Sequence, residues 1–567
     1  MPETNQLTGA EVFVRMLQLH GVKHIFGLCG DTSLPFYDAL YRLDHGITHV
    51  LTRDERSAAY MADGYARVTG KVGVCEGPSG GGATYILPGV VEANESSIPI
   101  LAVTTDISVG GRGRYTLTEL DQTALFRPLT KWNRVIDRAE DIPKTVRAAF
   151  TQMTSGRPGA AHIGLPFDVQ RGPVDEGDVW GDERLGVYPS RRFGPDQAAV
   201  EAAAELLLAA KNPLFIVGGG VVIAGAEAEL QDIAEWLGAP VASTVSGHGS
   251  IGDRHPLAVG LVGSNGGTMP TRAVVELADT VVFVGCRAGS VTTERWRFPA
   301  PGKVKVIHID ADPAAIGATY KTDVAVIGDA RLALAALRDV LKARPRPDGR
   351  RALDAERVKA ARAEKFAAFA ALARSDERPI KPERVVAELQ AVAPEDATIV
   401  ADPGTPCPYL SAYYEVVRPG RHLWSNRAHG ALGYAMSAAA GAAVGRPGVK
   451  TIAVMGDGSF GFTCGELETI VRLKLPITML VISNSAFGWI KAGQKTGFNQ
   501  RYYSVDFTRT DHAAVAAAFG VKGWRVEDPD ELRGVLKKAV EAGKPTLVDI
   551  ICQPLHEARA PVSEWVA

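Results

Sequence analysis

Residues 450–489, KTIAVMGDGSFGFTCGELETIVRLKLPITMLVISNSAFGW, set one helical stripe between two uninterrupted apolar runs, and few folds accommodate that pattern. TIAVM reads as a buried strand running into Gly456-Asp457-Gly458. Leu467, Ile470, Val471 and Leu473 recur at helical spacing, ITMLVIS is the next buried strand, and Asn484 follows it. A strand–helix–strand unit crosses over right-handed, so its two strands are parallel. Asp457 and Asn484 then stand at carboxyl strand ends on one sheet edge, where open α/β sheets place their ligands.

The same alternation fills the rest of the chain. HIFGL, THVLT, VGVCEG and PILAVTT read as strands. Helical patterns at Leu34–Arg42, Glu55–Thr69 and Gly82–Asn94 separate them. Strict alternation predicts α/β architecture with doubly wound parallel sheets. QRGPVDEGDVWGDERLG is a boundary, so residues 1–185 form the first domain. Residues 190–345 form a central domain with strands PLFIV, VVFVGC and VKVIHID and a helix at Glu227–Leu237. A charged, Ala-rich linking helix leads to a third domain at 375–552, and 553–567 reads as a tail. The first and third blocks are similar in style, which hints at a duplicated sheet.

Charge and composition narrow the partners. The formal net charge of −2 gives no electrostatic case for nucleic acid or an anionic membrane. No run offers about 20 apolar residues, so a membrane span is not expected, nor is a secretory signal in MPETNQLTGAEVFVRML. The six cysteines form no CxxC pair, which argues against a zinc site or disulfide framework and fits a cytoplasmic protein.

Asp457 and Asn484 can converge on one ion through hard oxygen ligands suited to Mg²⁺ or Ca²⁺. One carboxylate and one amide are too few for an all-protein cage, but Mg²⁺ commonly completes its shell with phosphate oxygens and water. Backbone N–H groups of a glycine turn opening a helix would hold the phosphates. The plainer alternative is that GDG is a turn and Asn484 a strand cap.

GDG followed by Asn484 after a strand–helix–strand interval resembles the thiamine-diphosphate motif, with Ser483 in place of the first of two usual asparagines. LPFYDAL, RDERSAAYMADGYARVTGKVGV, GPSGGGAT, ELDQTALFRPLTKW, GRPGAAHIGLPFDV and GALGYAMSAAAGA extend the likeness to acetolactate-synthase-type enzymes over essentially the full length. The resemblance implies three α/β domains (pyrimidine-binding, central, diphosphate-binding). It implies a homodimer or homotetramer, with the cofactor between the first domain of one subunit and the third of its partner. It implies thiamine diphosphate and Mg²⁺, with Asp457, Asn484 and the Ala486 backbone carbonyl as metal ligands. Gly456, Gly458, Ser459, Phe487, Gly488 and Trp489 flank that motif, and Gly404 and Thr405 match the diphosphate loop, with Thr405-Pro406 replacing the usual Gln-His. Gly80 and Gly430 fall in cofactor-side segments.

Glu55 matches the family's catalytic glutamate. A carboxyl bonded to the aminopyrimidine favours the tautomer that can take up the thiazolium C2 proton. Otherwise Glu55 is a helix N-terminal acid favoured by the dipole. Leu432 matches the apolar wedge between the cofactor's rings, or is a core leucine. His429, where the family has an apolar residue, is a candidate proton shuttle or a structural histidine. Asp31, Thr32, Leu117, Thr118 and Trp489 are candidate substrate-pocket residues; Phe487 and Trp489 suit core packing equally.

Departures from the family narrow the reaction less well. Leu117-Thr118 replace Phe-Gln, Tyr85 replaces an asparagine, and Gly493 replaces a pocket-narrowing tryptophan, so a roomier pocket is expected. Arg287 survives from the flavin-contacting segment, but Val291 replaces the second arginine; FAD is not expected, though Arg287 keeps it open. Asp310 and Asp312 suit a ribose hydroxyl or a turn. The leading expectation is a decarboxylating carboligase of 2-oxo acids. The alternatives are a thiamine-dependent C–C lyase or decarboxylase on a larger substrate, such as a 2-hydroxyacyl-CoA lyase, a benzaldehyde-lyase-like enzyme or a cyclic-dione hydrolase. A non-catalytic relic is the remaining class, and intact Glu55, Asp457 and Asn484 argue against it.

Overall fold

The computed structural model describes residues 6–346, 353–558 and 560–561. Part of the expected tail, at 559 and 562–567, and part of the expected linker, at 347–352, lie outside the described residues. By contacts the chain divides into two units. The first comprises Met1–Arg191, Ala428–Gly448 and Thr463–Leu475; the second comprises Arg192–Arg427, Val449–Phe462 and Pro476–Ala567.

The first unit holds a six-stranded sheet. In spatial order its strands are Thr48–Leu51, His24–Gly27, Gly73–Gly77, Ile100–Asp106, Ala161–Pro166 and Trp132–Val135, all parallel. Its central strands are buried along their whole length, as a sheet covered on both faces requires. Glu55–Thr69 is a helix because Asp54 caps it, accepting from the Arg56 N–H at 2.8 Å, and Gly70 ends it in the left-handed region. The helix Tyr434–Gly445 packs on it. A methyl at Gly64 would stand 2.1 Å from the Ala438 carbonyl oxygen, and one at Gly441 would stand 1.9 Å from that of Met61. The small residues of SAAAGAA let the two backbones touch, so bulk at either glycine would force them apart.

The second unit holds two more parallel six-stranded sheets. One runs Leu423–Ser425, Thr398–Ala401, Thr451–Gly456, Thr478–Ser483, Thr546–Ile551, Lys522–Val526. Numbered along the chain within each sheet, this order and that of the first unit are both 2-1-3-4-6-5, which supports the duplication suggested by the sequence. The central sheet differs. It runs Ala258–Leu261, Val241–Ser243, Pro213–Val217, Thr280–Val284, Lys305–Asp310, Val324–Ile327, the 3-2-1-4-5-6 order of dinucleotide-binding sheets. At its switch point the backbones of Gly218 and Gly285 meet, and a methyl at Gly218 would lie 2.2 Å from the Gly285 carbonyl oxygen. Gly218-Gly219-Gly220 is therefore a strand-to-helix turn packed on its neighbour.

Two local expectations are corrected. The single helix expected over Gly82–Asn94 is two, Gly81–Tyr85 and Leu87–Glu95, because Pro88 takes the start of the second. Gly456-Asp457-Gly458 is not a free turn: the strand ends at Gly456, and a helix, Asp457–Thr463, begins at once.

Candidate functional site

The candidate residues fall into two sets, one in each unit. In the second unit the strands Thr451–Gly456 and Thr478–Ser483 are adjacent and parallel, so Asp457 and Asn484 emerge side by side. The Asp457 carboxylate is buried and organises the loop opposite. One oxygen accepts the N–H of Gly458 at 2.8 Å; the other accepts those of Asn484 at 2.8 Å and Ser485 at 2.6 Å. Burial pushes this carboxyl above the usual carboxylate range, and the three N–H groups pull it back. Beside it the Asn484 amide nitrogen reaches the Thr405 hydroxyl at 3.4 Å, while its Oδ1 is buried without a hydrogen-bond partner. A buried anion and an orphaned amide oxygen side by side fit a hard divalent cation.

The surrounding residues close the same corner. Ser485 takes φ of 55°, and Ala486, 7% exposed, bridges to Asp506. Phe487 packs edge-on against Phe507 and lies over Gly458, where a methyl would meet its ring at 2.8 Å. Gly488 lies against Thr405; a methyl there would be 3.3 Å from its hydroxyl. Ser459 donates to Asp402, and Gly404 takes φ of 93° ahead of the helix Pro406–Tyr413. Trp489 packs on the core of this sheet, with the Arg427 guanidinium 5.9 Å from its ring.

In the first unit Glu55 is 6% exposed at the first turn of its helix. Burial raises its carboxyl above the usual range, and the neighbouring Asp54 and Glu76 add to the effect. Thr32, Ser79, Thr105 and Thr118 form one hydroxyl cluster. Thr32 Oγ1 lies 2.8 Å from Thr105 and 3.2 Å from Ser79, and Ser79 Oγ lies 2.7 Å from Thr118. Gly80, at φ 67°, lies against the Thr118 side chain. Asp31 is exposed, and Leu117 is 86% exposed.

His429 and Gly430 sit on a loop held by a residue that sequence reasoning missed. The fully buried Glu92 accepts the His429 N–H at 2.7 Å, the Gly430 N–H at 3.2 Å and the Ala428 N–H at 3.4 Å. Arg67 balances it at 3.8 Å while pairing with Asp63 at 2.8 Å, and the Tyr434 hydroxyl also donates to Asp63. Leu432 lies partly buried where this loop enters the helix Tyr434–Gly445. Glu466 does similar work, accepting the Arg53 N–H at 2.8 Å just ahead of Glu55. The signal for Glu92 was a carboxylate directly after the apolar run of the helix LPGVVEANE. Glu92→Ala leaves the loop donors unmet and Arg67 short of a counter-charge; we expect about 3–5 kcal/mol of destabilisation, read by denaturant unfolding.

In the central sheet Arg287 is exposed, and Asp310 and Asp312 accept the N–H groups of Asp312 and Ala314 at 2.8 Å and 3.0 Å, as turn residues do. Among the described residues no three His, Cys, Asp or Glu side chains cluster to hold a metal.

Three family models match the chain in succession. Residues 7–125 match the N-terminal TPP binding domain of thiamine pyrophosphate enzymes, 200–337 the central domain and 402–550 the C-terminal TPP binding domain. A probable acetolactate synthase large subunit of Methanocaldococcus jannaschii is 36% identical, covering 97% of this chain and 92% of that protein. The acetolactate synthase of Arthrospira platensis is 33% identical over 96% and 94%, and the isozyme 3 large subunit of Escherichia coli 32% over 94% and 92%.

Proposed function

Since the chain belongs to the thiamine pyrophosphate enzymes of the acetolactate synthase type, we propose that it is a decarboxylating carboligase of 2-oxo acids that uses thiamine diphosphate with Mg²⁺. The observation that carries this reading is the orphaned Asn484 oxygen beside the buried Asp457 carboxylate. Asp457, Asn484 and the Ala486 carbonyl would hold the metal, and Gly404, Thr405, Gly456, Gly458 and Ser459 the diphosphate. When bound, the cofactor supplies the carbon nucleophile for the 2-oxo acid carbonyl and the electron sink as CO₂ departs. Glu55 holds a proton on its carboxyl for the aminopyrimidine ring nitrogen and receives it back. Leu432 offers the apolar wedge. His429, on a loop braced by Glu92, is the candidate proton shuttle. Thr32 and Thr118 offer hydroxyl donors to the substrate side.

One observation favours a lyase acting on a larger substrate. A methyl at Gly493 would touch nothing within 4 Å, which leaves room that a tryptophan would fill. Incubating the holoenzyme with 2-oxo acids, aldehydes and 2-hydroxyacyl-CoAs separates the readings by mass spectrometry. CO₂ with a hydroxyketone supports carboligation; cleavage of a hydroxyacyl thioester without CO₂ supports the lyase; no product from any refutes both.

We further propose a homodimer or homotetramer, and a cytoplasmic location, the latter supported by the six unpaired cysteines. No described helix is long and apolar enough to cross a membrane. We propose no flavin, because Val291 stands where a second arginine would contact it. The purified protein is expected to be colourless, and a visible flavin absorption band would overturn this.

A further inference from the structure

Among the described residues Arg427 is a half-buried arginine that meets no carboxylate. Other arginines that turn inward are paired: Arg67 with Asp63, Arg272 with Glu294 and Arg362 with Glu415. Neutral groups hold the Arg427 guanidinium instead. Oriented by its hydrogen bonds, the Asn265 amide turns its oxygen to Arg427, accepting from Nε at 3.2 Å and from Nη2. The guanidinium carbon lies 5.9 Å from the centre of the Trp489 ring. Asn265 is 2% exposed. Its neighbour Gly266 is pinned to the helix Pro406–Tyr413, since a methyl on it would stand 2.6 Å from the Ser411 Cβ.

The guanidinium stands close to the Asp457–Asn484 corner. Trp489 belongs to the first turn of the helix Gly488–Gly497; Gly488 lies against Thr405, and Thr405 against Asn484. Gly493, one turn along that helix and on the same face as Trp489, leaves open space. Arg427 also directly precedes the loop that carries His429 and Gly430. A neutral amide leaves the guanidinium its full charge, and Nη1 meets no protein acceptor among the described residues. A bound anion would relieve the cost of half-burying that charge. The proposed reaction decides which anion. The donor 2-oxo acid loses its carboxylate as CO₂, and a cation gripping that group would favour the ground state over the transition state. An acceptor 2-oxo acid keeps its carboxylate while the new C–C bond forms.

We propose that Arg427, held by Asn265 and the face of Trp489, binds the carboxylate of the acceptor 2-oxo acid and so selects such acceptors over neutral aldehydes. This rests on the carboligase reading above. The holoenzyme is given the donor that the substrate panel identifies, with either 2-oxobutanoate or propanal, the same skeleton without its carboxylate. Each coupled product is quantified by mass spectrometry. In Arg427→Gln, kcat/KM for 2-oxobutanoate relative to propanal falls by about 10–100-fold, the loss of a charge-assisted pair. Asn265→Asp gives Arg427 the counter-charge it lacks, so the ratio falls while the melting temperature does not; a merely structural Arg427 predicts no such fall. That variant carries the test if Arg427→Gln fails to fold. Binding of lactate, an unreactive 2-hydroxy acid, is read by saturation-transfer NMR and weakens in both variants; binding of lactamide does not. A wild type that prefers propanal, or a ratio unchanged in both variants, overturns the inference alone. CO₂ release from the donor that falls as far as coupling assigns Arg427 to the departing carboxylate and overturns it too. A wild-type holoenzyme that couples no acceptor overturns the carboligase reading beneath it as well.

Discussion

Glu55→Gln is expected to lower turnover by about 10²–10⁴-fold, the range for loss of a positioned acid–base group, while thiamine diphosphate still binds. The substitution keeps the side chain's size and its ability to hydrogen-bond, and it removes the exchangeable proton. The fold should tolerate it. Glu55 is 6% exposed, its helix is capped by Asp54, and burial holds the carboxyl above the usual range. A raised carboxyl in the folded state means that stability falls as pH rises from the ordinary carboxylate range through the raised value. Glutamine has no such cost, so the variant should be at least as stable as the wild type on the alkaline side. Calorimetric affinity for the cofactor, thermal melting and CO₂ release read the three parts of this expectation. Unchanged turnover removes the assigned role, and loss of the cofactor would make Glu55 a binding residue instead.

The sequence made the elements legible where caps and periodicity agreed. Leu34–Arg42, Glu55–Thr69 and Glu227–Leu237 are helices within the expected bounds, because Pro, Asp or Gly marks at least one end of each. It failed where one signal served two purposes. Pro88 reads as tolerable inside a helix but opens a second one. Gly456-Asp457-Gly458 has turn composition, yet Asp457 is already helical, which aims its carboxylate at the Asn484 and Ser485 N–H groups. Edge strands such as Trp132–Val135 and Val324–Ile327 are only partly buried and four residues long, too short for a period to show.

The Asp457–Asn484 corner was visible because its residues form a local motif at two strand ends. Glu76 and Glu92 were not, for a general reason. A buried carboxylate in an otherwise apolar element looks in sequence like one surface charge, and its partners are remote. His429 lies 337 residues from Glu92 and finds it only through the fold. The acids that shape such a site are therefore harder to read than the acids that perform its chemistry.

Asp457→Ala should abolish Mg²⁺ and diphosphate binding together, weakening each by more than about 100-fold, since loss of groups merely supporting a metal ligand already costs 10–100-fold. The side chain has two duties. Facing the proposed ion site it offers a buried carboxyl oxygen, whose anion burial disfavours and a cation would favour. Facing the protein it accepts the Asn484 and Ser485 N–H groups at 2.8 Å and 2.6 Å, which sets the bend that presents the Asn484 oxygen and the Ala486 carbonyl. Alanine removes both, and each N–H left unmet in the interior costs about 1–3 kcal/mol. Loss of binding in that variant could therefore follow from a collapsed loop as well as from a missing ligand. Asp457→Asn separates the two. Its amide oxygen can still accept a backbone N–H, so melting should change less, but the formal charge is gone and Mg²⁺ affinity should fall nearly as far as in the alanine variant. Calorimetry with the metal and thiamine diphosphate added singly and together gives the reading. If the asparagine variant binds both as the wild type does, the carboxylate is a loop anchor and the metal must be held elsewhere.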